Sequence, residues 1–294
     1  LEVMIMYKIA LFYDDHQEKR KKIILVILLL LLLFGIYKNG LQYLANNLVL
    51  KTDIFKLFLY PIISFIGVLG YSLLKKEKIT IDNACEAIIL AFLVPPRFPL
   101  IIYSIIIFGY FLLKSFNYKC LETISLIVIY KVILILVGSI IHLNNLNLVE
   151  LNHSYHYGIL NNFFGYSVGD LGTTNIVLII ILLITMCSSF YYKKDLVFYL
   201  LLPFFIWQVI NVLLLKELNT TLLQSTYFFA SILIAPLNGK SPGSKKEIII
   251  FGLGISLLSI VLDYVLKSTN SIYIALLIFQ ILWTISLRIR KEKS

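Results

Sequence analysis

Lys131 is the residue whose position most demands an explanation. It lies about ten residues into the apolar run 121–141, where an ammonium group is expensive unless paired or hydrated. Asp263, in the run 247–267, is a candidate partner for it. The second chemical feature is a glycine-rich turn, Gly165-Tyr-Ser-Val-Gly169-Asp170-Leu-Gly172-Thr173-Thr174-Asn175. Glycines take positive φ freely and let successive N–H groups converge on an anion or a ring edge. An apolar run follows, so the turn would offer a ligand phosphate free amides and the positive end of a helix dipole. Thr173 or Thr174 is placed to cap that helix. The same residues also make a plain turn with a cap, and both readings stand at this point. No Lys-Ser/Thr ending follows the glycines, so a nucleotide P-loop is not indicated.

The other candidates are weaker in spacing. Glu86 and Glu122 sit one turn inside apolar runs, either as an ion or proton entry or as acids favoured at a helix N-terminus. His142, His153 and His156 share one polar interval with Glu150, either as metal or haem ligands or as solvated loop residues. Cys85, Cys120 and Cys187 form no CxxC pair, which speaks against a zinc site or a disulfide framework. Nothing pairs a nucleophile with a base, and no two carboxylates share a segment, so hydrolytic chemistry has no residues to carry it.

The elements that must position these groups are membrane helices. Hydrophobic residues make up 60% of the 294 positions, charged residues 14%, and the mean hydropathy is +0.90. A water-soluble shell cannot be covered with so few polar groups. The net charge of +10 is dispersed in short clusters between apolar runs, which points to lipid headgroups and excludes a nucleic-acid surface. The basic run Glu18–Lys22 ahead of Ile23–Tyr37 resembles a secretory signal. It lacks a small-residue cleavage site, so a retained first span is expected. Residues 1–17 are expected to lie along the headgroups or to lack order.

About ten spans are expected, near 23–38, 54–74, 83–94, 97–114, 121–141, 174–192, 195–215, 221–237, 247–267 and 270–287. Placing the N-terminus inside puts Lys8, Lys19–Lys22, Lys75–Lys78, Lys114, Lys119, Lys193, Lys194, Lys240–Lys246 and Arg288–Lys293 on the cytoplasmic side. Only Lys38, Lys51, Lys56, Arg97, Lys216 and Lys267 fall outside, and Val132 to Tyr192 has no Lys or Arg at all. The positive-inside rule then sets both termini in the cytoplasm and the glycine turn outside.

Segments three and eight are short and stopped by proline, at Pro95-Pro96 and at Pro236. Each precedes a segment containing Ile-Ile-Ile-Phe-Gly, Ile105–Gly109 in one half and Ile248–Gly252 in the other. Prolines and pentapeptides repeat at nearly one separation, which suggests a five-plus-five duplication. An odd number inverts the second copy, and matching interrupted segments then mark a midplane site. The plainer alternative is a pair of tilted helices with prolines at their ends. The expected fold is an all-α polytopic membrane protein in inverted repeat. It has a cytoplasmic segment 1–22, a first repeat 23–141, an extracytoplasmic loop 142–173, a second repeat 174–287 and a tail 288–294.

At three places the chain resembles the NqrB/RnfD family, membrane subunits of sodium-pumping NADH:quinone reductase and of Rnf electron-transport complexes. Leu90-Ala-Phe-Leu-Val-Pro95-Pro96-Arg-Phe-Pro99-Leu100 is similar to the family's Leu-Ala-Leu-x-Leu-Pro-Pro-x-x-Pro-Leu. Gly165, Gly169, Gly172 and Thr174 match its Gly-Asn-x-Pro-Gly-Ser-x-Gly-Glu-Thr-Ser turn, from which Tyr166, Val168, Asp170, Thr173 and Asn175 depart. Phe228-Phe229, Pro236 and Ile250-Phe-Gly-Leu-Gly254 are similar to its late Phe-Phe…Asp-Pro segment and following helix, with Ser231 where the Asp falls.

The resemblance implies a flavin, FMN or riboflavin. It also implies partners among membrane redox subunits and extracytoplasmic flavoproteins. The family's covalent attachment needs a Ser-Gly-Ala-Thr motif before the turn; here the interval His142–Asn175 holds only Thr173 and Thr174, so non-covalent binding is expected. Ser115–Glu122 lacks the family's glycines and Asn-Pro, which implies a divergent member. The implied flavin site gathers Pro95, Pro96, Lys131, Gly165, Gly169, Asp170, Gly172, Thr173, Thr174 and Pro236. Tyr155, Tyr157, Phe163, Phe164 and Tyr166 would either stack on the isoalloxazine or form an interfacial belt. The expected function is electron transfer across or to the outer face of the cell membrane. The rivals are a small-solute or flavin transporter at the same site, and a structural subunit whose site has decayed.

Overall fold

In a computed structural model of the chain, residues 2–41, 51–116, 124–141, 163–165, 170–189, 192–215, 225–236, 241–266 and 270–293 are described. Among them the chain forms ten helices and no strand. Helix α1 runs Glu2–Ile36 and continues as a π-helical turn, Tyr37–Leu41. It is followed by α2 (Lys51–Lys75), α3 (Ile81–Phe92), α4 (Leu100–Ser115) and α5 (Leu126–Ile140). After the polar interval come α6 (Ile176–Cys187), α7 (Lys194–Leu215) and α8 (Ser225–Phe229), the last extended by π turns over Ala230–Ile234. Helices α9 (Lys245–Leu266) and α10 (Ser271–Lys293) end the chain.

Among the described residues, four stretches are long and apolar enough to cross a bilayer: Gln17–Leu41, Ile54–Lys75, Lys245–Leu266 and Ser271–Arg290. Large apolar side chains stand exposed along their outer faces, among them Leu33, Leu73, Val261 and Ile285. Water would not tolerate so much exposed hydrocarbon, and lipid requires it. The molecule is a helical membrane protein.

Three details differ at the helix ends. Residues 2–17, expected along the headgroups or without order, are helical and continuous with the first span, with no glycine or proline before Gly35. The run read as a span over 174–192 holds a helix of only twelve residues, closed off by Asn175 at its start and Ser188 at its end. Lys38, read as an outer-face cation, is buried in the π turn.

The short helices are what the fold is arranged around. At 1.5 Å per residue, α3 covers about 18 Å of a hydrocarbon core about 30 Å thick. Thr80 caps its start by accepting from the Asn83 amide at 3.3 Å, and Asp82 in the first turn complements the dipole. Pro95 and Pro96 prevent its continuation, since neither has an N–H to donate. Helix α1 packs on α3 and α6, α2 on α3 and α4, and α4 on α5. Later in the chain, α6 packs on α8, α7 on α9, α9 on α10, and α10 returns to α5. The end of α3 meets the second short element inside, with Phe92 edge-on to Phe229 at a centroid distance of 5.8 Å.

Candidate functional site at the tip of the short helix

Stopping α3 at Phe92 leaves carbonyls without helical partners in a place that excludes water. Phe92, Leu93 and Val94 are all fully buried. An unpaired carbonyl there costs about 1–3 kcal/mol in a soluble core and more in hydrocarbon. Four donors from elsewhere in the chain satisfy this end. The Tyr130 hydroxyl donates to Leu90 O at 2.9 Å. The Gly172 amide donates to Phe92 O at 3.3 Å, and the Leu171 amide to Val94 O at 3.1 Å. Lys131 Nζ donates to Leu93 O at 2.9 Å.

Lys131 makes one further bond, to Asp170 Oδ2 at 2.6 Å. Its partner is therefore the acid of the glycine turn; Asp263, the acid suggested by sequence, lies on α9, whereas α5 packs against α4 and α10. Both members of the pair are buried, Lys131 at 1% and Asp170 at 5% exposure. Two helix ends favour the arrangement. The ammonium sits at the negative C-terminal end of α3, and the carboxylate lies in the turn that leads into the positive N-terminal end of α6. The ring of Tyr273, on α10, stands 5.7 Å from the ammonium.

The turn can reach this depth because of two glycines at close approaches. A Cβ on Gly172 would stand 2.2 Å from Phe92 Cδ1. On the other side, a Cβ on Gly35 of α1 would stand 1.7 Å from Leu171 O. Leu171 and Gly172 are clamped between α1 and α3. Gly165 adopts φ +98°, a left-handed conformation, and the Asn175 side-chain amide donates to the neighbouring Phe164 O at 3.1 Å.

Thr173 and Thr174 do not cap α6. Asn175 does, accepting from the Leu178 amide at 3.0 Å. The helix starts one residue later than the sequence suggested, and Asn is as good a cap as Thr. The two threonine hydroxyls are instead buried without a hydrogen-bond partner among the described residues, as is the hydroxyl of Tyr273.

The remaining sequence candidates fall as follows. Pro95 and Pro96 form the bend after the α3 tip, held by the Tyr60 hydroxyl of α2 donating to Phe98 O at 2.5 Å. Pro236 is buried at the end of the second short element, about which Tyr192 and Lys193 play a similar role. Tyr192 OH donates to Ile232 O at 2.6 Å, and Lys193 Nζ donates to Ser241 O at 2.7 Å and Pro242 O at 3.0 Å. Glu86 pairs with Lys114 and accepts from the Tyr110 hydroxyl at 2.5 Å, which ties the start of α3 to the end of α4. Cys85 and Cys187 are free thiols. Gly169, Glu122, Cys120, Glu150, His142, His153, His156, Tyr155, Tyr157 and Tyr166 lie outside the described residues. Among the described residues no group of His, Cys, Asp and Glu is placed to hold a metal ion.

Sequence reasoning missed Tyr130, Gly35 and Phe92. Tyr130 had a signal, a second polar group beside Lys131 in an otherwise apolar run. Phe92 and Gly35 had none beyond their place in apolar segments.

The chemistry open to this arrangement is specific. The Leu171 and Gly172 amides, which a ligand phosphate would need, are committed to α3. The space in front of Gly172 is filled by the Phe92 ring. Leu171 and Gly172 thus form a clasp on a helix C-terminus, and these two amides are not free for a phosphate. Comparison with protein-family models and with curated proteins finds no match for the chain.

Proposed function

We propose that the chain is a membrane subunit of an NqrB/RnfD-like redox complex, built as an inverted repeat of five helices plus five. The observation that carries this reading is convergence. Three segments that resemble the family are far apart in sequence: Leu90–Leu100, Gly165–Asn175 and Phe228–Pro236. They meet at one place, through the Leu171 and Gly172 bonds to the α3 tip and the Phe92–Phe229 contact.

The repeat is supported by the packing order. The pairs α1–α3, α2–α4 and α4–α5 have counterparts in α6–α8, α7–α9 and α9–α10. The halves join through α1–α6 and α5–α10, each helix against its own counterpart, as a two-fold axis requires. Internal prolines also correspond, Pro61 in α2 and Pro203 in α7, and so do Tyr130 of α5 and Tyr273 of α10.

Flavin is the cofactor this reading implies, and in such a complex it supplies the one-electron chemistry. The Leu171 and Gly172 amides are bonded to α3, so no flavin contact is assigned to them. What the chain's own residues supply is a closed polar core: a neutral ion pair and a sealed helix tip in the membrane interior.

The test is to isolate the chain from its native membranes in mild detergent and record its absorbance, its co-purifying subunits and the flavin released by acid. Flavin in the acid supernatant together with further membrane redox subunits is the expected result. A colourless, solitary protein that moves a solute across liposomes would replace this reading with a transporter. That second reading has its own support in the hydroxyls of Thr173, Thr174 and Tyr273, buried without a partner among the described residues, which a passing polar solute would bind.

A further inference from the structure

The two short-helix tips are closed differently. The first is closed by Tyr130 and Lys131 of α5 and by the Leu171 and Gly172 amides. The second opens on a cleft of about 290 Å³ between α1, the end of α6 and the α8 tip. Its walls include Gln17, Arg20 and Lys21 of α1, Asp82 of α3 and Ser189 beyond α6, over a floor of Ile24, Met186, Leu233 and Pro236.

The charges in this cleft do not cancel. Lys21 is paired with Asp82 at 2.5 Å, which consumes the cleft's carboxylate. Arg20 is half-buried and makes no ion pair among the described residues. A guanidinium in that state is a strong fork for phosphate oxygens. Gln17 lies three residues earlier on the same helix face and brings amide donors to the same spot. The apolar floor directly beneath has no use for a free inorganic anion and suits a hydrocarbon or ring. The basic run Glu18–Lys22 sits where α1 enters its apolar stretch, at headgroup depth.

We infer that this cleft binds a phosphate-bearing anionic amphiphile, with its phosphate on Arg20 and Gln17 and its apolar part against Ile24, Met186 and Leu233. The inference stands apart from the redox reading and survives its failure. The occupant is an anionic phospholipid of the inner leaflet or a soluble phosphate ester, and the two are told apart by competition.

The experiment uses the full chain in detergent, with phosphatidylglycerol or phosphatidylcholine titrated in and read by native mass spectrometry. Arg20→Gln lowers phosphatidylglycerol retention about tenfold, the loss of one charge-assisted anchor, while the exposed Arg288→Gln leaves it unchanged. Ser189→Trp fills the cleft from its rim and lowers retention without touching a charge, which keeps the test valid should the Arg20 variant fail to fold. Displacement of the lipid by millimolar hexyl phosphate identifies a soluble phosphate ester as the natural occupant; persistence of the lipid identifies the headgroup. Equal losses in Arg20→Gln and Arg288→Gln overturn the site, as does retention of phosphatidylcholine equal to that of phosphatidylglycerol.

Discussion

Replacing Lys131 by Met tests the clasp most directly. The substitution keeps the length of the side chain and its hydrocarbon. It removes the donor to Leu93 O and leaves the Asp170 carboxylate, 5% exposed, without a counter-charge. Breaking a buried pair by removing one partner costs about 3–5 kcal/mol. For a chain of this size each kcal/mol moves the midpoint by roughly 2–3 °C, so the variant should melt roughly 6–15 °C below the parent. Asp170→Asn should be milder, because the ammonium keeps Leu93 O and gains the amide oxygen. The decisive comparison is the double variant Lys131→Met with Asp170→Asn. It leaves the Lys131–Asp170 site uncharged, and its deficit reduces to the unpaired Leu93 carbonyl, about 1–3 kcal/mol. It should therefore melt above Lys131→Met alone. Thermal unfolding in detergent can be followed through Trp207 and Trp283, the chain's 2 tryptophans. A Lys131→Met protein that melts with the parent would refute the reasoning, and so would a double variant no more stable than Lys131→Met.

Other substitutions probe the same core. Gly172→Ala places a methyl 2.2 Å from Phe92 Cδ1 and should destabilise by about 1–3 kcal/mol, with Phe92→Leu restoring part of the loss in the same melt. Gly35→Ala should be at least as harmful, since its methyl meets the Leu171 carbonyl, a backbone atom that cannot rotate away. Gly70→Ala is the control: nothing lies within 4 Å of that position, and alanine should gain about 0.5–1 kcal/mol of helix propensity. Asn175→Ala removes the α6 cap and should lower stability by about 1 kcal/mol, while Thr174→Val, whose hydroxyl has no partner among the described residues, should be neutral or stabilising.

The composition and the periodic apolar runs settled the class of the molecule. A chain with 60% hydrophobic residues has only one solvent that suits its surface, and charge clusters between runs mark where the runs end. Proline position likewise announced the short helix ending at Phe92, because a missing N–H is a local fact. Lys131 and the glycine turn could each be singled out for the same kind of reason. What sequence could not supply was that they belong together. The Lys131–Asp170 pair spans 39 positions, and the Ser125 amide bond to the Gln280 side chain spans 155. Neither separation leaves a periodic trace.

The turn shows where the division falls. Its glycines look alike in sequence whether their amides face a ligand or a neighbouring backbone. Only the tertiary structure decides between the two. The last carbonyls of α3 are stranded in a water-free interior, and the nearest free N–H groups are those of Leu171 and Gly172. Local sequence created the unsatisfied carbonyls; the packing of α1, α3 and α5 chose which groups would satisfy them.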